Sequence, residues 1–116
     1  MVRDMAQDIL IVDDEVDIRE LTSGILQDEG YQTRTAAGSA DALVAIDSRR
    51  PSLVLLDIWL QGSDLDGLGV LKSLKRDHPM VPVLLMSGHA TIETAVAATK
   101  EGAYDVIEKP FNTNRL

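Results

Sequence analysis

The chain has 116 residues, no cysteine and a net charge of −8, a length that fits one domain burying roughly 65% of the surface its unfolded chain exposes. The missing cysteine excludes disulfides, thiolate metal sites and cysteine nucleophiles. The acidic balance argues against non-specific binding to nucleic acid or an anionic membrane, which needs clustered Lys and Arg, yet it leaves room for a cation.

The opening MVRDMAQD does not read as a signal peptide, and no apolar run approaches ~18 residues, so a soluble, cytoplasmic chain is expected. Ile9 to Val12 is an apolar run ending in Asp13-Asp14-Glu15. From Glu15 to Glu29 the spacing predicts a helix with Ile18, Leu21, Ile25 and Leu26 inward, capped by Asp14 and stopped by Gly30. Tyr31 to Thr35 alternates like a shorter, more exposed strand, and Gly38-Ser39 starts a helix to about Ser48 with Leu43 and Ile46 inward. Arg49-Arg50 reads as its solvated end.

Residues 52–60, SLVLLDIWL, carry an unbroken apolar run from Leu53 to Leu56 into Asp57, the pattern of a strand buried on both faces of a parallel sheet. A glycine-bearing loop from Gln61 to Gly67 follows, then a helix with Leu68, Leu71 and Leu74 inward that ends near His78-Pro79. Asp64 and Asp66 read as turn or cap residues, and His78 as a solvated helix end. Met80 and Met86 are expected to pack in the core or at a strand edge. Val81 to Met86 is a further buried strand, stopped by Ser87-Gly88. Thr91 caps a helix to Glu101 with Ile92, Ala95, Val96 and Thr99 inward, and Gly102 stops it. Tyr104 to Ile107 is a fifth strand, in which Tyr104 and Val106 share a face. Five βα units, the last unfinished at Leu116, predict an open parallel sheet with helices on both faces.

In such a sheet the carboxyl ends of the strands converge on one rim, where ligands bind. Those ends carry Asp13 and Asp14, Asp57 and Ser87, and Lys109 follows the fifth strand. Three carboxylates within ~4 Å of one another would repel by several kcal/mol per pair at an effective dielectric near 20, so a counter-charge is expected. Oxygen-only ligands favour Mg²⁺ over Zn²⁺. A carboxylate can also act as a nucleophile toward phosphorus while a cation and an ammonium group neutralise the transferring oxygens. Asp57 is the candidate nucleophile. Asp13, Asp14, Asp57 itself and the backbone carbonyl of Trp59 are candidate metal ligands, and Ser87 and Lys109 are candidate contacts to phosphoryl oxygens. His89, two residues after Ser87, reads as an exposed loop residue.

The set IVDDE, LLD, Ser87-Gly88 and Lys109-Pro110-Phe111, in this order and spacing, resembles the receiver domain of bacterial two-component response regulators over essentially the whole chain. The words LLDIWL, SGHATIETAV and EKPF are similar to the nitrogen-regulation, NtrX-like branch of that family. The resemblance implies a flavodoxin-like fold of strand order 2-1-3-4-5 and Mg²⁺-dependent phosphoryl transfer from a sensor histidine kinase to Asp57. It also implies a cis Lys109-Pro110 bond, a homodimer through the fourth-helix and fifth-strand face, and downstream ATPase and DNA-binding domains. Residues 1–116 would then be a receiver excised from a longer regulator, catalysing only its own phosphorylation and dephosphorylation.

Two departures from the family pattern stand out. Gln61 replaces a usual proline, with Asp66-Gly67 two residues late, which predicts a longer loop over the site. Val106 replaces the aromatic that usually swings on activation, and Tyr104 is the candidate substitute. Three other functions compete. A nucleotide-binding enzyme would need glycines after the first strand. A haloacid-dehalogenase-type phosphatase would need Asp-x-Asp there, and position 15 is Glu. A phosphorylation-independent interaction module would keep only the fold.

Overall fold

Short apolar runs form the interior strands because each can be covered on both faces. The computed structural model describes residues 7–57, 67–87, 96–97 and 99–108. In chain order these form β1 (Asp8–Val12), α1 (Val16–Asp28), β2 (Gln32–Ala36), α2 (Ser39–Ser48), β3 (Leu53–Asp57), α3 (Gly67–Asp77), β4 (Val83–Ser87) and β5 (Asp105–Glu108). All pairings are parallel, and the sheet order is β2-β1-β3-β4-β5. This is the flavodoxin-like arrangement. Among the described residues no helix is long and apolar enough to cross a membrane.

Strand alternation sends successive side chains to opposite faces, and the core divides accordingly. Leu10, Val12, Val54 and Leu56 face Ile46 of α2 and Leu71 and Leu74 of α3. Ile9, Ile11, Leu55 and Met86 lie on the other face with Leu26 of α1. β2 is an edge strand and stays partly exposed, as its polar sequence QTRTA predicts. Asp57 continues the alternation of Leu53 and Leu55, so β3 delivers it on the α1 side.

Two turns depend on glycine. Gly30 follows Glu29, the residue that caps α1, with φ 96°, while its N–H donates to Gln27 and that of Tyr31 to Leu26, closing the helix end as expected. Gly102 has φ 102°, and a Cβ there would meet Cγ of Lys75 at 2.9 Å. Lys75 in turn donates Nζ to the Val81 carbonyl at 2.6 Å, so one side chain braces α3 against both the segment leading into β4 and the turn before β5.

Several expectations about side chains are corrected. Leu21 is 50% exposed and Thr22 is buried in its place, because residues 18, 22, 25 and 26 form the inner stripe of α1. The residue before α1 is Glu15, with no side-chain cap, so Asp14 stands one position too early to cap the helix. Val96 and Thr99 are helical but exposed, since the small residues between them leave the periodicity without contrast to fix its direction. Met80 is exposed, lying in the turn after α3, whereas Met86 is core. His78 is not simply solvated, for Nε2 lies 3.1 Å from Oδ1 of Asp47 and links α3 to α2. Tyr104 precedes β5 and is 79% exposed while Val106 packs against the core, so the two are not packed together on one strand face. The Thr91 cap, Ile92, Ala95, His89, the loop from Gln61 to Asp66, the Lys109-Pro110 bond and the fifth helix lie outside the described residues.

Candidate functional site

The sheet register assembles the rim. Val12 pairs with Leu56, so Asp13 and Asp57 are the next residues along neighbouring strands. Parallel neighbours run about 4.8 Å apart, which brings both carboxylates to one end of the sheet. Asp57 pairs with Met86, and Ser87 is the next residue of β4 and pairs with Glu108 of β5. Each residue therefore reaches the rim because its strand stops there.

One carboxylate oxygen from each of Asp13, Asp14 and Asp57 lies within 4.8 Å of the other two. Asp13 and Asp57 are 0% and 3% exposed, Asp14 is half-buried, and Ser87 is buried. Burying carboxylates together is unfavourable unless hydrogen bonds or a cation compensate. The donors are all oxygen, and hard divalent cations such as Mg²⁺ take such donors, so the residues present fit the ion expected. Three of the predicted site residues are thus brought together, with Ser87 on the next strand. Trp59 and Lys109 lie outside the described residues.

The turn between β1 and α1 is held from several directions. The Asp13 N–H donates to the Ala36 carbonyl at 3.1 Å, tying it to the end of β2. The Glu15 N–H donates to Oδ1 of Asp13 at 2.9 Å, an Asx-type turn that opens α1 in place of the expected Asp14 cap. Arg19, on the first turns of α1, donates from Nη1 to the Asp13 carbonyl at 2.8 Å. Sequence reasoning passes over Arg19. The available signal is a lone basic residue shortly after an acidic run, which spacing alone does not distinguish from a solvated helix face.

The model of the response regulator receiver domain family matches residues 9–116. The nitrogen assimilation regulatory protein NtrX of Azorhizobium caulinodans is 65% identical over 112 residues, which cover 97% of this chain and 25% of that protein. The crystal structure of NtrX from Brucella abortus superposes with a TM-score of 0.90 at 62% identity, covering 96% of this chain and 25% of that one. The crystal structure of the receiver domain of the Brucella protein alone gives a TM-score of 0.88 at the same 62% identity, covering 93% of this chain and 90% of that one. This chain spans about a quarter of the length of its full-length NtrX relatives. With the sheet order, the acidic rim and these likenesses in agreement, the chain belongs to the response regulator receiver domain family.

Proposed function

We propose that Asp57 is the phosphoacceptor of this receiver, taking a phosphoryl group from a phosphohistidine of a sensor histidine kinase. The observation that carries this reading is the gathering of Asp13, Asp14 and Asp57 within 4.8 Å at the rim. A carboxylate oxygen of Asp57 attacks phosphorus, the new O–P bond forms as the N–P bond breaks, and the electron pair leaves with the imidazole nitrogen. Asp13, Asp14 and Asp57, with the carbonyl of Trp59, would hold a Mg²⁺ ion. That ion, when bound, supplies positive charge against the transferring phosphoryl oxygens. Ser87 donates its hydroxyl to one of those oxygens, and Lys109 its ammonium to another. Such a domain catalyses only its own phosphorylation and dephosphorylation.

The relatives are about four times as long as this chain, which supports a place within a transcription regulator whose ATPase and DNA-binding domains receive the signal. Val96 and Tyr104, in the fourth-helix region and just before β5, are both exposed, which supports self-association through the fourth-helix and fifth-strand face. The reading is tested by incubating the chain with a small phosphodonor and Mg²⁺ and following intact mass. One phosphoryl group per chain is expected in the wild type and none in Asp57→Asn. Labelling of Asp57→Asn equal to wild type would falsify it, and multiple turnover of the donor would mark a phosphatase instead.

A further inference from the structure

We propose that Arg19 is a positioning residue for the acidic rim, holding the β1–α1 turn in the shape that presents Asp13 and Asp14 to a divalent cation. The inference rests on reading the rim as a Mg²⁺ site. Asp13 is the hinge of this turn, since only Asp14 and Glu15 separate it from α1. Its N–H is fixed to Ala36 and its carboxylate accepts from Glu15, while its carbonyl accepts from Arg19 at 2.8 Å. Each contact constrains a different part of the residue. The Arg19 side chain ties the Asp13 carbonyl to the body of α1, beside the backbone bond from the Arg19 N–H to the Glu15 carbonyl, whereas Ala36 belongs to β2.

Arg19 is half-buried, and its guanidinium is a planar donor that forms stronger hydrogen bonds than a neutral group. Asp14 has to follow wherever Asp13 and Glu15 are placed. The Asp13 carbonyl is therefore a lever on two of the three carboxylates.

The sign of the effect separates positioning from charge. A guanidinium near a cation site repels the incoming ion, so on Coulomb grounds its removal tightens Mg²⁺ binding. Groups that orient metal ligands do the reverse, and their loss typically weakens affinity by roughly 10- to 100-fold.

The experiment titrates Mg²⁺ into the 116-residue chain, following Trp59 fluorescence and calorimetric heat, with circular dichroism to establish that each variant is folded. Arg19→Met keeps the stem and removes both donor and charge. It is expected to bind Mg²⁺ about tenfold more weakly than wild type. Arg19→Lys restores a charge and a donor without the planar fork, and is expected to lose less. Asp14→Ala serves as the control that loses the site. Folded Arg19→Met binding as tightly as wild type, or more tightly, overturns the inference while leaving the metal site standing. If Arg19→Met does not fold, Arg19→Gln, which loses the charge and the reach to the Asp13 carbonyl, takes its place, and wild-type affinity there overturns the inference. A wild type that ignores Mg²⁺, with Asp14→Ala behaving identically, overturns the metal site and the role of Arg19 together.

Discussion

The two ends of β1 each carry an aspartate, and they are treated in opposite ways. At the amino end Asp8 meets Arg34 at 2.7 Å and Arg49 at 3.2 Å, and Arg34 also donates to the carbonyls of Ala45 and Arg49. That acid is neutralised by the chain's own cations and fastens β1, β2 and the end of α2 together. At the carboxyl end Asp13 is gathered with two more carboxylates. The amino-end acid is paired with cations of its own chain, whereas the carboxyl-end acids are gathered into the arrangement proposed above to take a divalent cation.

The contrast makes its largest claim about Arg34. Arg34→Ala leaves Asp8 short of its closest cation and takes a donor from the carbonyls of Ala45 and Arg49, and is expected to destabilise the fold by about 2–3 kcal/mol. Urea unfolding measures that loss, and Mg²⁺ affinity should stay at the wild-type value. A matching loss of Mg²⁺ affinity in folded Arg34→Ala would mean that the two ends are not independent.

Asp13→Asn probes the other end with the opposite sign. The amide oxygen still accepts from Glu15, but one of three like charges is gone. The metal-free chain should gain about 1 kcal/mol, roughly 4 °C in Tm, while Mg²⁺ no longer raises Tm as it does for the wild type. A lower Tm would show that Asp13 stabilises the rim through its charge. The smallest effect belongs to Arg49, whose side chain is 60% exposed. Arg49→Ala is expected to change stability by under about 0.5 kcal/mol, and a loss as large as that of Arg34→Ala would overturn the ranking of the two arginines.

The strands are legible in the sequence because burial on both faces leaves nothing for the pattern to decide, whereas their order is implied by the resemblance to receiver domains and not by the pattern. Leu53 to Leu56 admits one environment, and Asp57 marks its end. Asp13, Asp14 and Asp57 follow from that, since a residue just past a parallel strand has only the rim to occupy. Helix faces are harder to read. Leu21 and Thr22 differ by one position, and the inner stripe takes the polar residue because its spacing from Leu26 is right. Val96 and Thr99 lie among alanines, so hydrophobicity does not tell inward from outward. Partners that meet only in three dimensions leave no local trace. Neither the His78 pairing with Asp47 nor the Arg19 bond to the Asp13 carbonyl could be read from spacing.

The pairing of Val12 with Leu56 also has a consequence for the newborn chain. Asp13 emerges from the ribosome well before Asp57, and the two become neighbours only after an intervening strand and two helices have been made and β3 has docked on β1. A partly synthesised receiver therefore has an aspartate at position 57 but no reactive centre around it, since bringing distant strands together is the slow, cooperative part of folding a parallel sheet. On the function proposed above, competence to receive a phosphoryl group would be a certificate of completed folding, and an immature chain would offer a kinase no assembled site.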